Sequence, residues 1–115
     1  MGHPHPAAQK PTNAWGLHDL HGNVWEWCAD VYDGEAYSRR APGLTVDPRG
    51  LTFDVRNALP RSADSADRGV PRVVRGGSWS GGPERARSAD RSGDSPSYTR
   101  KFVGFRLWLS APERP

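Results

Sequence analysis

Glycine and proline are spread so densely along this sequence that they limit what it can fold into. The chain holds 13 glycines and 11 prolines among 115 residues. Both residue types favour turns and interrupt helices, because glycine tolerates left-handed backbone and proline lacks an amide hydrogen. The sequence therefore predicts an α+β arrangement of short strands, one or two short helices and much irregular backbone.

Tryptophan supplies most of the apolar surface from which a core could form. Hydrophobic residues are only 35% of the chain, but five of them are tryptophans, and each indole can bury a large area. A chain of this length holds one domain with a modest core. The predicted core residues are Trp15, Leu17, Val24, Trp25, Trp27, Val73, Val74, Trp79, Phe105, Leu107 and Trp108.

The charge pattern and the single cysteine exclude several classes of function. Sixteen basic residues against thirteen acidic ones leave a net charge of +3, and the basic residues are scattered rather than arranged in a stripe. We therefore expect no nucleic-acid partner. The sequence has no transmembrane run and its N-terminus has no apolar stretch, so we expect no membrane partner and a cytoplasmic location by default. Cys28 is alone, which excludes an internal disulfide.

Turn residues divide the chain into three parts. Residues 1–12 contain three prolines and are predicted to form a flexible N-terminal segment. Residues 13–110 are predicted to form the domain, and residues 111–115 a tail. Within the domain, residues 33–71 form a long proline-rich connection. The predicted strands are residues 24–28, 51–55, 73–79, 86–91 and 103–109.

Two carboxylates flank a glycine turn in the string DLHGNVWE. Asp19 and Glu26 are seven residues apart, and the turn through Gly22 lets the carbonyl groups of Gly22 and Val24 converge with them. Calcium prefers such a set of oxygen ligands. The alternative is that Glu26, which lies between two tryptophans, is buried and pairs with an arginine such as Arg106.

Residues 80–102 form a run of small and polar side chains that is almost free of aliphatic residues. Such a composition is typical of an adaptable binding surface and also of an ordinary loop. The sequence offers no clear catalytic set, because no serine or cysteine stands beside His18 or His21 to complete one. Cys28 is expected to be a core thiol and Ser78 a strand hydroxyl.

Four strings in order resemble the C-terminal half of the formylglycine-generating enzymes, or sulfatase-modifying factors. They are NAWGL at residue 13, DLHGNVWEW at residue 19, RGGSW at residue 75 and GFR at residue 104. The resemblance covers roughly residues 9–109 and implies a C-type-lectin-like fold. It also implies a structural calcium ion on Asp19, Gly22, Val24 and Glu26.

The chain departs from that family at the position of its chemistry. The resemblance implies two copper-binding cysteines shortly after the GGS-aromatic block, and residues 79–85 contain none. Without a thiolate pair we expect no copper and no oxidase activity. The N-terminal half usual for the family is also lacking, so the chain is interpreted as a minimal domain, a fragment or a piece that completes itself by self-association.

The sequence also resembles variable proteins of diversity-generating retroelements, whose C-terminal region is randomised at adenines of a template. Most polar residues of the 80–102 run could arise from asparagine codons by adenine replacement, although Glu84 and Lys101 could not. The predicted ligand-binding residues are Ser80, Gly81, Gly82, Glu84, Asp90, Ser92, Gly93, Asp94, Ser97, Tyr98, Thr99, Lys101 and Phe102.

These patterns lead to one hypothesis and two alternatives. The hypothesis is a non-enzymatic domain that binds a protein or other macromolecule through residues 80–102, with Tyr98 and Phe102 as anchors. One alternative is a divergent member of the enzyme family, and the other is a structural subunit that docks onto another chain. The sequence does not specify the ligand.

Overall fold

A four-stranded sheet forms the centre of the molecule. The computed structural model describes residues 2–38, 43 and 70–109. The sheet has the order β3-β2-β1-β4. The elements are β1 (Trp25–Val31), β2 (Arg72–Arg75), a short 3-10 helix (Pro83–Ala86), β3 (Ser92–Asp94) and β4 (Val103–Gly104). Within the described ranges the structure is thus sheet-dominated with almost no helix, which confirms the short strands and corrects the expected share of helix.

Strand register assigns side chains to the two faces of the sheet. β1 pairs antiparallel with β2, so that Glu26 lies opposite Arg75 and Trp27 opposite Val74. β4 pairs parallel with the start of β1, so that Glu26 also lies beside Gly104. Because successive side chains alternate between faces, Glu26 and Arg75 share one face, and Trp27 and Val74 share the other.

The buried core is smaller than the sequence predicts. Trp25, Val73 and Val74 are the buried hydrophobic residues of the part that the structure describes. Val24, Trp27 and Trp79 are half-buried. The prediction was wrong for the five remaining members, which are exposed: Trp15, Leu17, Phe105, Leu107 and Trp108. A sheet with strands of two to seven residues covers too little area to bury them.

Three predicted strands differ from the observed ones. The strand at residues 73–79 ends at Arg75, because Gly76 and Gly77 adopt positive φ angles of 92° and 73° and turn the chain. Residues 86–91 follow the 3-10 helix as a turn, and β3 begins only at Ser92. Residues 103–109 leave the sheet after Gly104. The predicted strand at residues 51–55 lies outside the described residues, whereas that at residues 24–28 is confirmed as part of β1.

The proline-rich N-terminus is hydrogen-bonded to the domain. The amide of His5 donates to Asn23 Oδ1 at 3.0 Å, and Asn23 Nδ2 donates back to the His5 carbonyl at 3.1 Å. The amide of Ala8 donates to Asp19 Oδ2 at 2.9 Å. Proline prevents a regular ladder, but side-chain acceptors on the 19–23 turn still bind the amides that remain. The sequence pattern did not predict these contacts.

Membrane crossing was also checked in the structure. No helix in residues 2–38 or 70–109 is long and apolar enough to span a bilayer.

The close contact at Gly77 predicts a specific loss of stability. A Cβ at Gly77 would lie 3.0 Å from backbone atoms of Arg85 and Ala86, whereas Gly16, with a similar φ of 75°, has nothing within 4 Å. Gly16→Ala should therefore cost only left-handed strain, about 1 kcal/mol. Gly77→Ala should cost roughly 2–3 kcal/mol, because the backbone contact adds to that strain. Urea denaturation of both variants measures the difference, and equal losses would contradict the packing argument.

Candidate functional site

An ion pair between Glu26 and Arg106 joins β1 to the segment that follows β4. Arg106 Nε donates to Glu26 Oε2 and Nη2 donates to Oε1, both at 2.5 Å, across 80 residues of sequence. Arg106 Nη2 also donates to the carbonyl of His18 at 3.0 Å. A bidentate guanidinium–carboxylate pair is among the stronger polar contacts in proteins. The arginine partner that the sequence left as an alternative for Glu26 is therefore confirmed.

Electrostatics keep the Arg106 guanidinium charged. Its hydrogen bonds to Glu26 raise the pKa of Arg106 above its ordinary value, and the nearby carboxylate of Asp19 adds to the rise. Partial burial acts in the opposite direction. The guanidinium thus lies in the field of both carboxylates that the sequence assigned to calcium.

The predicted calcium ligands do not meet as a cation site in this arrangement. Both oxygens of Glu26 bind Arg106, and Asp19 Oδ2 accepts the Ala8 amide. Asp19 Oδ1 lies 4.0 Å from His5 Nε2. In the parts of the chain that the structure describes, no group of three or more His, Cys, Asp or Glu could hold a metal ion. Calcium would have to displace Arg106 from Glu26, so calcium binding stays a prediction.

The two carbonyl donors of that prediction lie on a turn that is held by backbone hydrogen bonds. The Gly22 amide donates to the Gly76 carbonyl at 2.6 Å, and the Trp79 amide donates to the Asn23 carbonyl at 2.8 Å. Val24 is half-buried and its Cγ2 would lie 3.1 Å from a Cβ on Gly104. The turn therefore locks the GGSW block against the start of β1.

The predicted ligand-binding residues lie mostly on the surface. Four of the thirteen are half-buried: Asp90, Ser92, Asp94 and Phe102. The other nine are exposed: Ser80, Gly81, Gly82, Glu84, Gly93, Ser97, Tyr98, Thr99 and Lys101. The nine exposed residues are named the display surface below. The Phe102 carbonyl accepts the Trp25 amide at 2.9 Å, so its backbone belongs to the sheet edge.

Arg100 organises one end of the display surface. Its Nε donates to Asp94 Oδ2 at 3.1 Å, and its guanidinium lies 4.5 Å from the centroid of the Tyr98 ring. At the other end Lys101 Nζ lies 5.6 Å from the Trp79 ring. Cations over aromatic faces stabilise such loops by about 0.5–1 kcal/mol each where exposed. The sequence analysis missed Arg100, and its spacing from Asp94 was the only signal.

A second cluster of arginines and tyrosines lies behind β3. Arg91 lies 5.7 Å from the ring centroid of Tyr32 and 5.2 Å from that of Tyr37. Arg75 Nη2 donates to the Tyr37 hydroxyl at 2.9 Å and Nη1 donates to the Ser88 carbonyl at 2.7 Å. This cluster connects residues 32–37 to the segment that leads into the display surface, and sequence patterns did not reveal it.

A cleft of about 640 Å³ opens on the Glu26 face of the sheet. Its lining includes Glu26, Cys28, Arg75, Trp108 and Trp15. Burial raises the pKa of the Cys28 thiol above 9.0, although the positive charge of Arg75 opposes the rise. The Cys28 thiol contacts only the Glu26 carbonyl, at 3.9 Å, and is therefore a weak nucleophile.

Ser78 is equally unsuited to attack a substrate. It is buried, and its hydroxyl is bonded to the Ser80 hydroxyl at 2.9 Å. No hydrogen bond links Ser78 or Cys28 to a histidine within the described residues. The geometry therefore shows neither of the nucleophile–base pairs that this chain could have formed.

The fold and this site together define a sheet-based scaffold protein with an irregular, polar display surface. Residues 2–111 match the family described as "Sulfatase-modifying factor enzyme 1-like domain", and the chain belongs to that family. The family that the four sequence strings indicated is thereby confirmed.

Three relatives show how far the similarity extends. The chain is 32% identical over 97 residues to the formylglycine-generating enzyme of Thermomonospora curvata, which covers 82% of this chain and 27% of the enzyme. It is 32% identical over 96 residues to the serine/threonine-protein kinase pkn1 of Chlamydia pneumoniae, covering 84% of this chain and 13% of the kinase. The solved structure of Treponema denticola variable protein 1 aligns with a TM-score of 0.55 and 32% identity, over 90% of this chain and 31% of that one. The chain thus spans less than a third of each relative.

The ion pair can be measured by a double-mutant cycle. Glu26→Gln, Arg106→Gln and the double variant should show a coupling free energy of about 1–3 kcal/mol, because both partners are partly screened from solvent. The same cycle on Arg85 and Asp90, which are 3.9 Å apart with Arg85 half exposed, should give about 0–1 kcal/mol. Chemical denaturation provides both values, and equal couplings would show that the bidentate geometry has no special weight.

Calcium binding has a direct thermal test. If the ion binds Asp19 and Glu26, saturating calcium should raise the melting temperature relative to a chelator, and Glu26→Gln should remove the rise. Arg106 competes for the same carboxylates, so Arg106→Gln should respond more strongly than the wild type. Identical melts with and without calcium in both proteins would remove calcium from this site.

The Cys28 environment predicts slow alkylation. Because burial favours the neutral thiol, the folded chain should react with iodoacetamide more slowly than the urea-unfolded chain at pH 8. The raised pKa also means that the folded state loses its preference for the thiol as the pH rises through that pKa. The two rates should therefore converge well above pH 9.0, the ordinary value for the thiol. Equal rates at pH 8 would contradict the assigned environment.

Proposed function

We propose that this protein is a non-enzymatic ligand-binding domain of C-type-lectin-like fold that recognises a macromolecule through the display surface. The observation that carries the proposal is the similarity to Treponema denticola variable protein 1, at 32% identity over 90% of the chain. Identity at that level over nearly the whole chain supports a shared use of the scaffold as well as a shared fold. The protein partner itself is left open by this argument.

The distribution of contacts supports a division between frame and surface. Arg100, Asp94 and Trp79 hold the loops through their own side chains. The display surface therefore contributes little to the frame, and many of its side chains can change without loss of the sheet. Tyr98 is 36% exposed and stacked on Arg100, so it offers a pre-ordered aromatic anchor. Phe102 is half-buried and is a weaker candidate for that role.

The sulfur chemistry supports the same conclusion. The single cysteine of these 115 residues lies in β1, and residues 80–85 after the GGSW block contain none. A copper site of the thiolate type needs two sulfur ligands that this chain does not itself supply. The proposal therefore assigns the chain no oxidase step.

Glycines of the display surface differ in the substitutions they can accept. A Cβ on Gly81 would meet its nearest neighbour, Arg85 Cγ, at an ordinary 3.6 Å. On Gly82 it would meet the flexible carboxylate of Glu84 at 2.4 Å, which can move aside. On Gly93 it would lie 2.6 Å from the Tyr32 ring, which is packed by Arg91. Diversification is therefore expected at Gly81 and Gly82 but not at Gly93.

That difference can be tested on folded protein. Gly81→Ser should change the free energy of unfolding by less than about 0.5 kcal/mol, because the new side chain has room. Gly93→Ser should cost about 1–3 kcal/mol, because the Tyr32 ring must shift and its contact with Arg91 is lost. Urea denaturation gives both numbers. A Gly93 variant as stable as the wild type would show that Tyr32 does not restrict the surface.

Binding capacity has its own experiment. A yeast-displayed library randomised at Ser80, Gly81, Thr99 and Lys101 should yield selectable binders to a test protein such as lysozyme. A control library randomised at four exposed positions away from the surface should not; these are Lys10, Thr12, Ala14 and Glu35. Binders from both libraries at equal frequency, or from neither, would oppose a specialised display surface.

A second candidate function rests on the similarity to the formylglycine-generating enzyme of Thermomonospora curvata. In that case the chain would be a divergent member of the enzyme family that acts with a second component. The discriminating measurement is oxygen consumption by the purified chain with copper and a cysteine-containing peptide. Sustained turnover would support the enzyme and overturn the binding proposal.

A further inference from the structure

Residues 105–109, with the sequence FRLWL, leave the sheet although their neighbour strand continues. β1 extends from Trp25 to Val31, but β4 pairs only with its first two residues and ends at Gly104. The hydrophobic side chains beyond that point are almost fully exposed: Phe105 at 72%, Leu107 at 89%, Trp108 at 85% and Leu109 at 93%. Four such side chains in five residues form a contiguous apolar strip, which exposed chains rarely carry without a partner.

The strip is apolar on both of its sides. Arg106 and Trp108 line the same cleft as Glu26. In an extended segment the alternate residues, which are Phe105, Leu107 and Leu109, point the other way. A strand that is apolar on both sides is typical of one buried on both faces. Because β4 is an edge strand in the order β3-β2-β1-β4, the segment that continues it has its outer backbone open to pairing.

We propose that residues 105–109 are a dimerisation strand that pairs antiparallel with the same segment of a second copy, centred on Leu107. In that register Leu107 faces its own equivalent, Phe105 lies opposite Leu109 of the partner copy, and Arg106 lies opposite Trp108. Each pairing is favourable: two are apolar, and the third places a guanidinium beside an indole. A two-fold axis through Leu107 closes the pair without leaving a further copy of the strip open.

Charge favours a second copy as the occupant. Arg106 is the one charged residue of the segment, and Glu26 of its own chain already neutralises it. The centred register also keeps the two Arg106 side chains from lying directly opposite each other, so like charges do not meet.

Area sets the expected strength of the dimer. Burying Phe105, Leu107, Trp108 and Leu109 of both copies removes on the order of 1,000 Å² from water. That area lies at the lower end of specific interfaces, so the dissociation constant is expected to be in roughly the micromolar range. This inference does not depend on the proposed ligand binding, because the display surface and the strip share no residue.

Sedimentation velocity of the full chain between about 1 and 200 µM tests the dimer. The wild type should shift from monomer to dimer across that range. Leu107→Arg should raise the dissociation constant at least about tenfold, because it places two charges against each other on the axis. Its circular dichroism and melting as a monomer should be unchanged, since Leu107 is exposed. Leu17→Arg, at another exposed leucine, should dimerise as the wild type does.

Disulfide trapping tests the register. In a Cys28→Ser background, Leu107→Cys should crosslink with itself under mild oxidation, because directly opposed residues fall within disulfide range. Phe105→Cys should crosslink with Leu109→Cys when the two proteins are mixed, and much less with itself. Self-crosslinking of Phe105→Cys would indicate parallel pairing and overturn the proposed register.

Three further outcomes would overturn the proposal. A chain that stays monomeric at 200 µM has no such interface at about the expected strength. A dimer that survives Leu107→Arg unchanged uses another surface. Binding of the strip to an added strand peptide of different sequence in preference to a second copy would assign it to a different partner.

Discussion

Much of this structure depends on the bidentate ion pair between Glu26 and Arg106. The two residues are 80 positions apart, and the pair holds the end of the chain against the first strand of the sheet. The additional bond from Arg106 to the His18 carbonyl ties in the turn that precedes that strand. Three distant segments are therefore fixed by one planar group, which a flexible ammonium could not do with the same geometry.

Such a polar tie carries unusual weight because the apolar core is so small. Three hydrophobic side chains are buried in the described ranges, and strands of two to four residues add few ladder hydrogen bonds. Turns take over part of the task. Gly22 and Asn23 bond to Gly76 and Trp79, and the backbone of Gly77 packs directly on the 3-10 helix. A fold of this kind is specified by a few exact contacts more than by total buried area.

The same economy of contacts explains how a surface can vary on an unchanged frame. Side chains that hold the frame, such as Arg91, Arg100 and Arg106, contact carboxylates, carbonyls and rings of other segments. Residues of the display surface such as Thr99 and Lys101 point outward. The family to which the chain belongs, and its similarity to Treponema denticola variable protein 1, place this arrangement among proteins with the same scaffold. Tyr32 shows the limit of variation, since its ring occupies the space beside Gly93.

Local chemistry in the sequence determined the turn at Gly22, the strand around Trp25 and Trp27, the polar run after the GGSW block and the family itself. Each depends on residues that are neighbours in the chain. Tertiary structure alone decided between calcium and Arg106 as the partner of Glu26, because both satisfy a carboxylate and only the folded path of the chain brings Arg106 to it. It likewise decided that Phe105, Leu107 and Trp108 are exposed, since alternating apolar residues predict a buried strand only where another layer is present to cover them.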